Sequence, residues 1–216
     1  MRLNTDLSRR TVVHAGRLDW VRTPAAGVER RMLFRIGQEQ ARATSIVRYA
    51  PASRFARHTH PGGEEFLVLE GVFEDDAGAY PAGSYVRNPP GSAHAPASTG
   101  GCVIFVKLWQ FRQDDLQPLV WRAGAAQATP AVLFDDSDER VWIGEWAAGA
   151  PIDLPNARGL ELLVLSGGFT QQGERFSRWS WLRLPAGSDL KACAAGSGAR
   201  IWLKSAPLLH ATVCAF

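Results

Sequence analysis

The sequence predicts an all-β protein built as two tandem β domains of the same fold, and three observations carry that prediction. Short runs rich in Val, Leu, Ile, Phe and Trp are punctuated by 21 glycines and 13 prolines, the pattern of strands separated by turns. Apolar residues at helical spacing never persist for three turns without a Gly or Pro, so no long amphipathic helix is expected. Ordered matches between the two halves of the chain point to an internal duplication.

The strand candidates follow in chain order. Thr44 to Tyr49 stops before Pro51, and Phe66 to Leu69 stops before Gly71. Ser84 to Val86 follows Pro81-Ala82-Gly83, and Val103 to Leu108 follows Gly100-Gly101. Val141 to Trp146 ends ahead of Gly149, Leu162 to Leu165 ahead of Gly167-Gly168, and Trp179 to Leu184 at Pro185. Ile201 to Lys204 closes the series, and most of these runs are four to seven residues long, as strands are. Asp114 to Gln117 has room for a single helical turn. It lies in the stretch from Gln113 to Thr129, which is rich in Ala and Gln, poor in strand signals, and reads as a linker.

Across that linker, Leu67-Val68-Leu69-Glu70-Gly71-Val72-Phe73 recurs as Leu163-Val164-Leu165-Ser166-Gly167-Gly168-Phe169, identical at five of seven positions. Pro81-Ala82-Gly83-Ser84 matches Pro185-Ala186-Gly187-Ser188, Leu33-Phe34 matches Leu133-Phe134, and Ile104 to Lys107 resembles Ile201 to Lys204. Four matches in the same order indicate duplication of a unit of about 100 residues, an ordinary domain size. The domains are therefore expected at residues 1–112 and 126–216, with 113–125 as the linker. On these matches the hairpin from Phe169 to Pro185 is eight residues longer than its counterpart, fifteen intervening residues against seven.

With 216 residues, 46% hydrophobic and 21% charged, the chain is long and apolar enough to bury a core, which excludes a disordered or collagen-like protein. Its net charge of +3 is spread rather than blocked, so no nucleic-acid partner is expected. Cys102, Cys193 and Cys214 are odd in number and far apart, with no CxxC, and read as small buried hydrophobes rather than a disulfide framework. The first 30 residues hold no signal-like apolar core, and no stretch approaches a membrane span, so a cytoplasmic protein with no membrane partner is expected.

The chemistry concentrates in Arg57-His58-Thr59-His60-Pro61-Gly62-Gly63-Glu64-Glu65-Phe66 and, further on, Pro89-Pro90-Gly91-Ser92-Ala93-His94. Residues two apart on a strand point the same way, so His58 and His60 present both imidazoles to one side. The Pro61-Gly62-Gly63 turn can return Glu64 to the same pocket, and the Pro-Pro-Gly turn fixes the approach of His94. Three imidazoles and a carboxylate suit Zn, Fe, Mn, Ni or Cu. A His-x-His pair on a surface strand is also commonly mere polar decoration, so spacing alone leaves the site open.

These residues resemble the two motifs of the cupin superfamily, G(X)5HXH(X)3-4E(X)6G and G(X)5PXG(X)2H(X)3N. His58, His60, Glu64 and Gly71 fit the first, and Gly83, Pro89, Gly91 and His94 fit the second; Ala52 and Ser98 replace a motif glycine and asparagine. The resemblance implies jelly-roll (double-stranded β-helix) barrels and one divalent transition metal on His58, His60, Glu64 and His94, zinc first, with Fe, Mn or Ni as alternatives. Glu65 competes with Glu64, and the spacing to Gly71 favours Glu64. The wording HTHPGGEEFLVLEGVFEDDAGAYPAGSYVRNPPGSAH is similar more narrowly to ChrR-like cupins, relatives of an anti-sigma factor's C-terminal domain. Residues 1 to 30 lack the Cys/His cluster of that factor's helical sigma-binding domain, so the resemblance does not extend to a sigma-factor partner.

In the second half, aligning Gly167 with Gly71 sets Leu154, Asn156 and Leu160 opposite His58, His60 and Glu64, and no histidine near Gly198 answers His94. That barrel is expected to be a degenerate, metal-free copy that supports folding or self-association. His14 and His210 read as satisfied or surface histidines and the eight tryptophans as core, while Arg48, Arg57 and Arg87 flank the motifs either as groups that neutralise an acidic ligand or as solvated strand positions. No serine-nucleophile, phosphate-loop or nucleic-acid motif stands out. The resemblance implies a regulatory or sensor protein that receives a small molecule or oxidant. The alternative is a metal-dependent dioxygenase acting on a small oxygenated or diketone-like compound.

Overall fold

A computed structural model describes residues 1–38, 40–122 and 130–214. Its regular structure is strand apart from the 3-10 turn Ala15–Arg17, so none of the described helices is long and apolar enough to cross a membrane. The chain folds as two units, residues 1–5, 19–122 and 209–214 in the first and 6–18 and 130–208 in the second. Cys102, Cys193 and Cys214 are free thiols.

The two units repeat one antiparallel strand order. In the first it runs Val28–Gly37, Ala41–Tyr49, Cys102–Leu108, Glu64–Asp75, Tyr85–Asn88 and Leu119–Trp121. In the second it runs Ala131–Asp135, Arg140–Trp146, Leu190–Ser205, Leu160–Gln171, Ser180–Leu184 and Thr11–His14. The register repeats as well: Asn88 pairs with Glu64 as Leu184 pairs with Leu160, and bulges recur at Leu33 and Leu133. Gly71 and Gly167 have φ of 70° and 66°, and each packs on a neighbouring carbonyl. A Cβ there would lie 2.2 Å from the oxygen of Gly101 and 2.1 Å from that of Gly198.

These registers correct the tetrapeptide match made above. Val72 pairs with Pro81 as Gly168 pairs with Ser177, so the two hairpins are equal in length and no eight-residue extension exists. The counterpart of Pro185 to Ser188 is Pro89 to Ser92, and in both turns the serine N–H donates to the proline carbonyl (3.1 and 3.0 Å). Pro81 to Ser84 is a different turn, and the likeness misled because Pro-x-Gly-Ser reports turn geometry rather than position.

The expected boundaries also shift. Thr11–His14 pairs with Ser180–Leu184 in the second unit, where His14 hydrogen-bonds Ser180 (2.9 Å) and Glu174 (3.2 Å) and Arg10 pairs with Glu174 (2.7 Å). Residues 209–214 join the first unit, and Arg42 donates to the Cys214 carbonyl at 3.1 Å. The expected linker is partly strand, since Leu119–Trp121 pairs with Tyr85, Val86 and Arg87, and buried Asp115 forms an ion pair with buried Arg87. Burying a guanidinium demands such a partner, which fastens this segment to the first unit. Residues 123–129, which hold the end of that linker and the expected start of the second domain, lie outside the described residues.

Each unit has its own apolar core, built from the inward alternation of its strands. In the first it includes Phe66, Val68, Phe73, Tyr80, Val86, Ile104 and Val106. In the second it includes Leu160, Leu162, Val164, Phe169, Phe176, Leu190 and Leu203. Gly167→Ala is expected to lower the unfolding free energy by about 1–3 kcal/mol, because the methyl meets backbone at a left-handed φ. Ala52 holds φ of 61° where the motif has glycine, so Ala52→Gly is expected to be neutral or mildly stabilising. Urea titrations of both variants check this.

Candidate metal centre

The site is assembled on a two-stranded pair, His58–His60 with Ser92–His94, in which His58 lies directly opposite His94. Cross-strand partners share a face, and so does the residue two along, so this register alone brings three imidazoles together. Their ligand atoms lie within 4.8 Å of one another, and the Nε2 atoms of His60 and His94 are 3.0 Å apart. His60 and His94 are buried, whereas His58 is exposed.

Glu64 arrives through the Pro61-Gly62-Gly63 turn. A Cβ on Gly62 would lie 2.2 Å from the Trp109 ring, so the indole closes over a turn that only glycine permits. Glu64 Oε2 stands 3.6 Å from His60 Nε2 and 3.4 Å from His94 Nε2, and Asn88 donates to it at 3.1 Å. Glu65 faces the other way, as alternation requires. Tyr85 and Arg87 engage its Oε2, the latter at 3.4 Å, and so the structure keeps Glu65 away from the imidazoles.

The second ring nitrogens are also held. His58 donates Nδ1–H to the Ala56 carbonyl (3.1 Å), and His94 donates Nδ1–H to Asp75 Oδ2 (3.1 Å), which leaves each Nε2 turned to the common point. Asp75 Oδ1 accepts from the Ala77 N–H at 2.8 Å and the Tyr80 hydroxyl at 3.1 Å. Burial would raise the Asp75 carboxyl, but these bonds outweigh it and hold it below the usual range. Asp75 is a positioning residue that the sequence reading missed, because nothing in spacing ties it to His94.

Glu64 and Asp75 begin and end one strand, yet both reach the same imidazole. Twelve residues drawn straight would span roughly 36 Å. The strand bends at Gly71: it pairs with Cys102–Leu108 up to that residue and with Gly78–Pro81 from Val72 onward. Electrostatics follow the geometry. Burial lowers the His60 imidazole, aided by His94 and His58 against Glu64. Burial also acts to lower His94, but the Asp75 hydrogen bond and the Glu64 charge overcome it and raise it.

A cavity of about 410 Å³ adjoins this cluster, lined by His58, His60 and Glu64 and by the inward face of the strands Val28–Gly37, Ala41–Tyr49 and Cys102–Leu108. Burial pushes the Tyr49 phenol in its wall well up, aided by Glu64, so it stays a hydroxyl. In the second unit the pair opposite His58 and His94 is Leu154 with Leu190, and Leu160 takes the place of Glu64. The counterpart of His94 is thus Leu190 rather than a residue near Gly198. Asn156 ties down a loop, donating to the carbonyls of Pro185 (2.8 Å) and Ser188 (3.0 Å) and accepting from the Gly159 N–H (2.7 Å).

A duplicated antiparallel fold thus carries a three-histidine cluster, a candidate metal centre, in its first unit. Residues 8–112, just under half of the chain, match the ChrR Cupin-like domain model. Among solved structures, the bacterial pirin YhhW in complex with nickel(II) from Escherichia coli is 14% identical, with a TM-score of 0.70 over 92% of this chain and 99% of that one. Protein Ylba from E. coli is 15% identical (TM-score 0.67, covering 92% and 91%). A cupin 2 conserved barrel domain protein from Leptotrichia buccalis is 11% identical (TM-score 0.58, covering 94% and 99%). No curated protein matches the chain.

If Asp75 orients His94, Asp75→Asn is expected to weaken Zn²⁺ or Ni²⁺ binding about 10- to 100-fold, while Glu65→Gln lowers stability instead. Metal titration and denaturation of each variant separate the two roles.

Proposed function

We propose that the chain is a metal-dependent small-molecule cupin whose first unit holds one divalent transition metal on His58, His60, Glu64 and His94. The donor set fits such an ion: the Nε2 atoms of two buried histidines and one carboxylate oxygen approach within 3.6 Å of one another, with His58 in the same cluster. A bound metal supplies Lewis acidity and, if it is iron, manganese or nickel, redox chemistry. Four protein donors leave one or two coordination positions for a ligand.

The observation that carries the reading is the cavity of about 410 Å³ lined by three of these four side chains. That size suits a small organic molecule. The chain's own residues bind and orient that molecule. The Tyr49 hydroxyl offers it a polar contact, Trp109 and the valines exclude water, and Asn88 and Asp75 keep the Glu64 and His94 side chains in place.

The role we assign is that of a sensor that reads a small molecule or an oxidant, supported by the match to the ChrR Cupin-like domain. A second reading, a dioxygenase acting on a small oxygenated compound, is favoured by a cavity with room for substrate beside the metal position. Elemental analysis of protein purified without a chelating tag is expected to find one metal per chain, lost in the His58→Ala plus His94→Ala variant. Zinc without dioxygen uptake supports the sensor. Dioxygen uptake by Fe²⁺-loaded protein on addition of 2,4-pentanedione supports the dioxygenase. Two tightly held metals, or unchanged content in the double variant, would overturn both.

A further inference from the structure

The duplication supplies an internal comparison for the cavity wall. On the strand Ala41–Tyr49 the residues that line the cavity are Ala43, Ser45, Val47 and Tyr49, two apart as alternation requires. Strand register gives each a counterpart in Arg140–Trp146. Met32 pairs with Ser45 as Val132 pairs with Trp142, and Arg35 pairs with Ala43 as Asp135 pairs with Arg140. On the other side, Ser45 pairs with Val106 as Trp142 pairs with Leu203. Trp142 thus stands where the first unit has Ser45, Gly144 where it has Val47, and Trp146 where it has Tyr49.

The two units use this shared frame differently. In the second, Trp142 and Trp146 pack against the apolar core together with Leu154, the counterpart of His58. A Cβ on Gly144 would lie 2.4 Å from the Trp146 ring, so the glycine gives that indole its place. In the first unit Val47 takes the glycine's position, and the Tyr49 ring lies edge-on to Phe55 and Phe73, with centroids 5.5 and 5.8 Å away. Ser45 is buried, yet its small side chain leaves open what an indole takes up in the second unit. That opening adjoins His58, His60 and Glu64. An apolar cavity of roughly 150 Å³ suffices to hold benzene. The cavity of about 410 Å³ has room for such a ring and its substituents.

We infer that the ligand is a small aromatic molecule carrying an oxygen acceptor, its ring seated against Ser45, Val47 and Val106 where the second unit seats its own Trp142 indole. Val47, Val106 and Leu108 give the ring an apolar bed, and a rigid flat ring buries much surface there at little cost in conformational freedom. The Tyr49 hydroxyl in the same wall, kept protonated by burial, donates to the oxygen. Ser45 is then the residue that sets specificity for the ring. This identification of the ligand class rests on the reading of the cavity as the ligand site.

The test is calorimetric titration of the Zn²⁺-loaded full chain with acetophenone and with cyclohexyl methyl ketone, which has the same oxygen and carbon skeleton but a puckered ring. Acetophenone is expected to bind at least about tenfold more tightly. Ser45→Trp gives the first unit the residue that its duplicate already accommodates. It should weaken acetophenone binding at least about tenfold and leave the metal content at the wild-type value. Ser45→Leu, a smaller step in the same direction, should weaken binding as well and serves if Ser45→Trp does not fold. Tyr49→Phe removes the donor and should weaken binding about 2- to 10-fold. Undiminished acetophenone binding in Ser45→Leu or Tyr49→Phe, equal or tighter binding of the cyclohexyl ketone, or binding of neither overturns the inference. An aromatic preference that persists in metal-stripped protein leaves this inference standing and removes the metal from ligand binding. One metal per chain with neither ketone bound does the reverse.

Discussion

The bend at Gly71 is the constraint on which the rest of the first unit depends. One strand must supply Glu64 at its start, the core residues Phe66, Val68 and Phe73 along its length, and Asp75 at its end, with both carboxylates reaching His94. Only a chain that turns sharply can do this, and the backbone does so at a left-handed φ pressed against the Gly101 carbonyl. Packing then makes the bend useful. Trp109 closes over the Pro61-Gly62-Gly63 turn and locks the entry of Glu64, while Tyr80 and two backbone N–H groups hold Asp75.

The second unit keeps that constraint and changes what it serves. Gly167 repeats the bend, yet Leu154, Leu160 and Leu190 stand where the first unit has two imidazoles and a carboxylate. Leu160 and Leu190 are fully buried in the core, with Leu154 packed against it. At these three positions, apolar burial at about 25 cal/mol per Å² avoids the desolvation that buried polar donors impose. Elsewhere both units bury charge, the first in a Glu65–Arg87–Asp115 network and the second in a Lys204–Glu139 pair at 3.0 Å.

Much of this was legible because it is local. His-x-His on a strand, a Pro-Gly-Gly reversal and the motif glycines act over a few residues, so the histidines of the cluster could be named from spacing and resemblance. Likewise, the matches of Leu33-Phe34 with Leu133-Phe134 and of Ile104 with Ile201 survive because those residues occupy bulge and core positions that the duplicated backbone repeats. The match of Pro81 to Ser84 failed because a turn tetrapeptide carries no information about which turn it is.

The sequence by itself determined the all-β class, the duplication and the clustering of histidines in the first half, since alternation, turn chemistry and short spacings are written in neighbouring residues. Only the tertiary structure decided the rest. It assigned Thr11–His14 to the second unit, tied Asp115 to Arg87 and set Asp75 behind His94. Each of these depends on strand register and burial between residues far apart in the chain, and pairing of that kind is fixed by the competition among all possible partners rather than by any local signal.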